Sequence, residues 1–383
     1  MKLAKLFNEF FNSEKACGLI LVCATVLSVF ITNTSWQTGY LHFWSTRIAG
    51  DSITHWINDG LMAIFFLQIG LELEREVYTG ELSNLKNASL PFLAAAGGMI
   101  VPALVYFLFN VNTSAESGAG IPTATDIAFA ISILSLLGNR VPPSLKIFLT
   151  ALAVVDDLGA IIVIAIFYAT GISFTNLFIA LGIFAGLLIL NRLKIRNLIP
   201  YLAGGIAMWY FMLHSGVHSS ISGVLLAFTI PFGDGSEKSP SYILQHYLHK
   251  PVSFIILPLF AIANSCVVIQ HGWFSNLFTL SSAGIIAGLV IGKPLGISLF
   301  SFIAVKTGIS NLPSDINWKN IIGVGFLGGI GFTMSIFITL LAFKDVVLID
   351  NTKIAILISS LIAAVTGFIL LKNSFKNSNK IYK

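Results

Sequence analysis

Apolar runs of roughly 20 residues recur along the chain from Ala16 to Leu371, and each is long enough to cross a bilayer as a helix. Twelve can be drawn, at about 16–34, 58–77, 88–110, 121–138, 146–169, 174–191, 198–214, 216–231, 247–269, 282–304, 320–343 and 352–371. The run at 216–231 is short, and several others are interrupted by Gly or Pro, which weaken a continuous helix. The first run is longer than the apolar core of a secretory leader and follows Glu9 and Glu14, so it reads as a retained first helix. The pattern predicts an all-α membrane protein of twelve transmembrane helices, one integral-membrane domain over residues 1–383.

Composition sharpens this reading. Of the 383 residues 56% are hydrophobic and only 10% charged, against about 25% charged in soluble chains. A mean hydropathy of +0.87 cannot be hidden inside one soluble core. Cys17, Cys23 and Cys266 show no pairing or ligand spacing and read as packing residues. The net charge of +5 does not point to nucleic acid, because its distribution is topological. Eighteen of the 22 basic residues fall on the N-terminal side of the twelve-span pattern, from Lys2, Lys5 and Lys86 to Lys380 and Lys383. Only Arg47, Lys344 and Lys353 fall on the other side, with Lys293 inside a span. The positive-inside rule then predicts that both termini are cytoplasmic.

Two loops stand out. The longest outer loop carries Trp36, Tyr40, Phe43, Trp44 and Trp56, and residues 40–56 read either as a hairpin of short strands or as an interfacial aromatic belt. The inner loop at 231–250 holds Gly233, Asp234, Gly235 and Ser236, then His246 and His249.

Candidate chemistry comes from charges where charges are expensive. Asp126, Asp156, Asp157 and Lys293 sit away from span ends, and each costs about 2.5–3.5 kcal/mol at a helix centre. Asp156 and Asp157 lie mid-span, pointing about 100° apart on a helix, so both can line one cavity wall. At ~5 Å and an effective dielectric near ~20 they repel by about 3 kcal/mol. Carboxylate oxygens are also the ligands a hard cation takes. A site that accepts protons or a cation, but not both, is the core of an exchanger. Lys293 lies beside a stripe of Gly284, Gly288, Gly292 and Gly296, which lets another backbone approach closely and turns the lysine toward protein, with an aspartate as its natural partner.

Asp126 follows Pro122 and Thr125, whose hydroxyl can serve an ion, and an interrupted helix there would expose a positive N-terminus. Gly328, Gly329 and Gly331 interrupt a second span. Two interrupted spans, one in each half, point to a binding site at the bilayer midplane. Glu72, Arg75 and Glu76, at helical spacings of three and four, read as a surface salt-bridge pattern or as a charged sensor at the inner mouth. His218 reads as a packing residue or a proton sensor.

These residues resemble the NhaA family of bacterial sodium/proton antiporters across essentially the whole chain. The motifs are PTATDIAFA from Pro122 to Ala130, KIFLTALAVVDDLGA from Lys146 to Ala160, GKPLG from Gly292 to Gly296 and FLGGIGFTMS from Phe326 to Ser335. The resemblance implies interrupted fourth and eleventh helices and an inverted repeat of spans three to five against ten to twelve, a property carried over from the family and not read from these residues. It further implies Asp157 as principal cation ligand for Na+ or Li+, Asp156 as its proton-carrying neighbour paired with Lys293, and Thr125 and Asp126 assisting. By resemblance His218 would tune the pH response and the outer hairpin would join a homodimer; Glu72, Arg75, Glu76, His246 and His249 are further candidates for that response. One departure concerns regulation. The Lys-Arg-x-Glu cluster of well-known members is replaced by Tyr242, Ile243, Leu244 and Gln245, and Glu74 stands where they carry a lysine.

The expectation is therefore an electrogenic Na+/H+ antiporter of the bacterial inner membrane, a secondary transporter and not an enzyme. Its ligands are Na+ or Li+ and H+, with no cofactor. A Na+-coupled solute symporter would need further polar groups. An intramembrane aspartyl protease would need a Gly-x-Gly-Asp motif, yet Val154 and Val155 precede the aspartate pair. A channel would not keep a proton-titrating pair that traps its ion.

Overall fold

The computed structural model describes residues 14–381 apart from 170, 270 and 271. Lys2, Lys5, Glu9 and Lys383, and the side chains of Glu14, Lys86 and Lys380, lie outside the described residues. The chain is helical almost throughout. In order the helices are α1 Glu14–Thr32, α2 Gln37–Ser45, α3 Ile53–Tyr78, α4 Leu85–Asn110, α5 Ile127–Leu136, α6 Pro143–Phe167 and α7 Phe174–Arg192. There follow α8 Ile199–Leu213, α9 Ile221–Ala227, α10 Pro240–Asn264, α11 Leu280–Lys306, α12 Trp318–Gly328, α13 Phe332–Ala342 and α14 Val346–Ile381.

Among the described residues, nine helices are long and apolar enough to cross a membrane. The pair α12 and α13, bent by 46° at its break, makes a tenth. The run at 216–231 differs from its expected form. It is a turn followed by the seven-residue α9, too short to span by itself. Gly216 takes a left-handed φ of 82°, and serine hydroxyls replace the helical ladder: Ser215 Oγ accepts from Val217 N and Ser222 Oγ donates to Ser219 O. The run at 247–269 is also shifted, because α10 begins at Pro240, where Ser239 caps it by accepting from Tyr242 N.

The chain divides into two compact units. The first comprises Met1–Val29, Asn84–Ala160 and Val267–Lys383. Its centre is α4 against α11. A side chain at Gly296 would run into the backbone of Gly97, one at Gly292 into Pro102 and one at Gly288 into Pro122, so the glycine stripe sets the close approach. A π-helical turn over Gly288–Gly292 widens α11 directly before Lys293.

The second unit comprises Phe30–Ser83 and Ile161–Cys266. Here α3 packs on α9, with Gly223 against the backbone of Ala63, over a core that includes Leu71, Tyr201, Met208 and Ile230. Within 40–56, β1 Arg47–Ile48 pairs antiparallel with β2 Asp51–Ser52. Ala49 and Gly50 between them both have positive φ, 54° and 102°, as the tightest hairpin turn requires. Tyr40, Phe43 and Trp44 sit on helix α2 instead.

Candidate functional site

The first unit gathers five of the sequence-derived polar residues, Thr125, Asp126, Asp156, Asp157 and Lys293, around two chain breaks. The chain reaches α5 through a tight helical turn, Glu116–Thr123, and then runs extended over Ala124 and Asp126. Pro122 and the β-branched Thr123 and Thr125 oppose a continuous helix there. On the other side the run Gly328–Gly331 ends α12 and begins α13. The two breaks are joined directly, Asp126 N donating to Ile330 O at 2.6 Å.

Each break leaves helix-end amides without intrahelical acceptors. One carboxylate serves both. Asp126 Oδ1 accepts from Phe129 N at 3.0 Å, capping α5, and Oδ2 accepts from Thr333 N at 3.2 Å and Thr333 Oγ1 at 2.5 Å, capping α13. A negative charge at two positive helix ends is favourable at both.

Thr125, the residue before, turns its hydroxyl toward Asp156 Oδ2 at 2.7 Å and Gly328 O at 2.9 Å. A hydroxyl carries one proton, so it donates to one of these at a time. Lys293 Nζ lies 2.6 Å from the same Asp156 Oδ2 and also donates to Thr123 O. Asp156 and Lys293 are both fully buried. Asp156 Oδ1 faces the interior with no hydrogen-bond partner among the described residues. Asp157, the next residue on α6, is 1% exposed. The lysine beside the glycine stripe thus pairs with an aspartate, and α5, α6, α11 and the α12–α13 break contribute to one buried polar cluster.

The remaining candidates lie in the second unit. His218 Nδ1 is 2.8 Å from Ser220 Oγ, and its Nε2 is 3.6 Å from Asp59 Oδ1. Asp59 also accepts from Ser219 Oγ at 2.7 Å and faces His55 Nδ1 at 3.1 Å. Glu72 accepts from Gln68 Nε2 at 2.7 Å and lies 3.9 Å from His249 Nδ1. Arg75 sits 5.1 Å over the ring of Tyr242, against which His246 stacks. Glu76 Oε2 accepts from Glu81 N at 3.2 Å.

Sequence reasoning did not single out Asp59, and it named Glu74 only as a departure from the family pattern, not as a buried group. Glu74 is only 4% exposed and accepts from Ser241 Oγ at 2.8 Å. Both lie near the ends of an expected span, where a charge reads as solvated. Thr333 was also missed, although it follows the Gly328–Gly331 break by two residues, the position at which a helix start needs an acceptor.

Residues 8–371 match the family model described as Na+/H+ antiporter 1. The chain is 64% identical over 378 residues to the Na(+)/H(+) antiporter NhaA of Flavobacterium psychrophilum, covering 99% of this chain and 98% of that one. It is 64% identical over 372 residues to Na(+)/H(+) antiporter NhaA 1 of Flavobacterium johnsoniae, covering 97% and 98%. It is 59% identical over 376 residues to the NhaA antiporter of Cytophaga hutchinsonii, covering 98% and 97%. With that match running nearly end to end, the chain belongs to the Na+/H+ antiporter family of multi-pass membrane secondary transporters.

Proposed function

We propose that the chain exchanges cytoplasmic Na+ or Li+ for external protons at Asp156 and Asp157, by alternating access, for sodium and pH homeostasis. The observation that carries this is a buried lysine–aspartate pair beside a second buried aspartate, at the meeting of two broken helices. Asp156 is held by Lys293 and Thr125. A cation entering at Asp157 competes with Lys293 for Asp156, because all three positive species, Na+, Lys293 and a proton, seek the same oxygens. As Asp156 changes partner, Thr125 turns its one proton to Gly328 O, in the α12–α13 break. Occupancy is thereby coupled to the crossing whose movement would switch access. Two protons carried against one Na+ move net charge, so the exchange responds to membrane potential.

The proposal includes twelve transmembrane helices forming a single transporter domain, with an inverted repeat of spans three to five against ten to twelve. Spans ten to twelve and all of spans three to five up to Ala160 fall within the first unit, which supports it. The inner-membrane orientation with cytoplasmic termini follows from the basic-residue asymmetry. A homodimer through the outer hairpin and a pH response at His218 are proposed from the family, with Glu72, Arg75, Glu76, His246 and His249 proposed beside it as further pH-responsive groups. No cofactor is proposed.

The test is proton movement in inverted membrane vesicles carrying the protein. Adding Na+ or Li+, but not K+, should release protons from the vesicle interior, and Asp157→Asn vesicles should be silent. No cation-dependent proton movement by the wild type would overturn the proposal.

A further inference from the structure

The start of α13 presents two amides that no residue of its own helix accepts from, and it meets them with two unlike acceptors. Thr333 N donates to the carboxylate of Asp126, while Phe332 N donates at 3.2 Å to the hydroxyl of Ser360, on α14. We propose that Ser360 is a positioning residue for Asp126 and, through it, for the cation site. This rests on the reading of Asp156 and Asp157 as that site.

Three observations carry it. First, the alternative acceptor for this amide is Asp126 itself. Phe332 and Ser360 line an apolar groove of about 380 Å³ with Val22, Phe129 and Leu361. The hydroxyl of Thr25 there is turned to its own helix, donating to Leu21 O at 2.8 Å. In hydrocarbon an orphaned amide must find an acceptor, and Asp126 Oδ2 is the acceptor already at that helix end.

Second, the position of Asp126 is fixed by two helix ends at once. Its two oxygens serve Phe129 N, Thr333 N and Thr333 Oγ1, and its own amide makes the crossing bond to Ile330 O. Drawing the carboxylate toward Phe332 loosens the cap of α5. Third, the rings report the same coupling, since Phe332 meets Phe129 edge to face with centroids 5.9 Å apart. Phe129 is the residue whose amide Asp126 caps. Thr125, which holds Asp156, is the immediate neighbour of Asp126. A neutral cap from α14 thus leaves the carboxylate to its own place.

The experiment compares Na+-driven proton movement, with KM and kcat separated, in proteoliposomes of the wild type, Ser360→Ala, Ser360→Thr and Ser359→Ala. Ser359 is the control, for its hydroxyl returns to its own helix at Ala355 O. Losing one neutral hydrogen bond is expected to raise the Na+ KM of Ser360→Ala about three- to tenfold, with kcat within about twofold. Ser360→Thr should restore the wild-type KM, and Ser359→Ala should not shift it. Should Ser360→Ala fail to assemble, Ser360→Cys takes its place, its thiol being a weak acceptor that still raises KM. An unchanged KM in the Ala or Cys variant, or no recovery with Thr, would overturn the role. So would a loss of kcat and thermal midpoint together with KM unmoved. A wild type without Na+-driven proton movement would instead overturn the antiporter reading itself.

Discussion

Single side chains decide the chemistry at the centre of the first unit. Lys293 is fully buried and its charge is balanced by Asp156 at 2.6 Å. Removing one member of such a pair leaves the other charged and unpaired in a low-dielectric interior, which costs about 3–5 kcal/mol. Lys293→Ala should therefore lower the thermal unfolding midpoint in detergent at neutral pH, beyond its effect on transport. An unchanged midpoint would contradict the pairing. Asp234, in the exposed loop before α10, behaves oppositely. The Ser236 hydroxyl, then the Ser236 amide, hold its carboxyl below the usual carboxylate range. A group whose folded value is depressed contributes stability above its unfolded value and loses it as pH falls through the folded one. Asp234 is thus ionised throughout the neutral range and has no part in a pH response there. Asp126, Asp156, Asp157 and Lys293 were legible in the sequence because a mid-span charge has no bland explanation. The burial of Asp59 and Glu74 was not, because a charge within a turn of a span end looks solvated until packing shows otherwise.

At the scale of elements, broken helices and glycine-lined contacts set the site. The break after α12 could be read from Gly328, Gly329 and Gly331, since three glycines in four residues support helix poorly. Its meeting with the break before α5 could not, because hydropathy says which segments are buried and not which carbonyl an amide finds. The start of α9 was illegible for a related reason. An apolar run such as Val224–Ile230 looks alike whether it continues a span or packs as a short helix whose turn is satisfied by serines. The close contact of α4 and α11 makes a specific prediction. Valine at Gly296 must displace the backbone of Gly97, and overpacking of this kind costs about 1–3 kcal/mol or more. Lys293 lies one turn away on the same helix, so Gly296→Val should lower both thermal midpoint and transport. Gly182→Ala, on α7 where nothing lies within 4 Å of an added methyl, should change neither. Equal midpoints for the two variants would contradict the tight α4–α11 contact.

For the whole molecule, the apolar spans and the family's match over residues 8–371 describe a membrane Na+/H+ antiporter, and the proposed mechanism makes it one that works by competition. Protons and Na+ that bind the same carboxylates each raise the concentration needed of the other. Tyr242, Ile243, Leu244 and Gln245 stand in the stretch where the resemblance expects a charged cluster, so the proposed mechanism predicts a broad pH profile that shifts toward acid as Na+ is raised. The most direct measurement is the titration of Na+ into purified, weakly buffered protein, following binding heat and proton release together at several pH values. The account predicts that Na+ binding releases protons, that lower pH demands more Na+, and that Asp157→Asn shows neither heat nor release. Na+ binding heat without proton release, or wild-type release from Asp157→Asn, would contradict it.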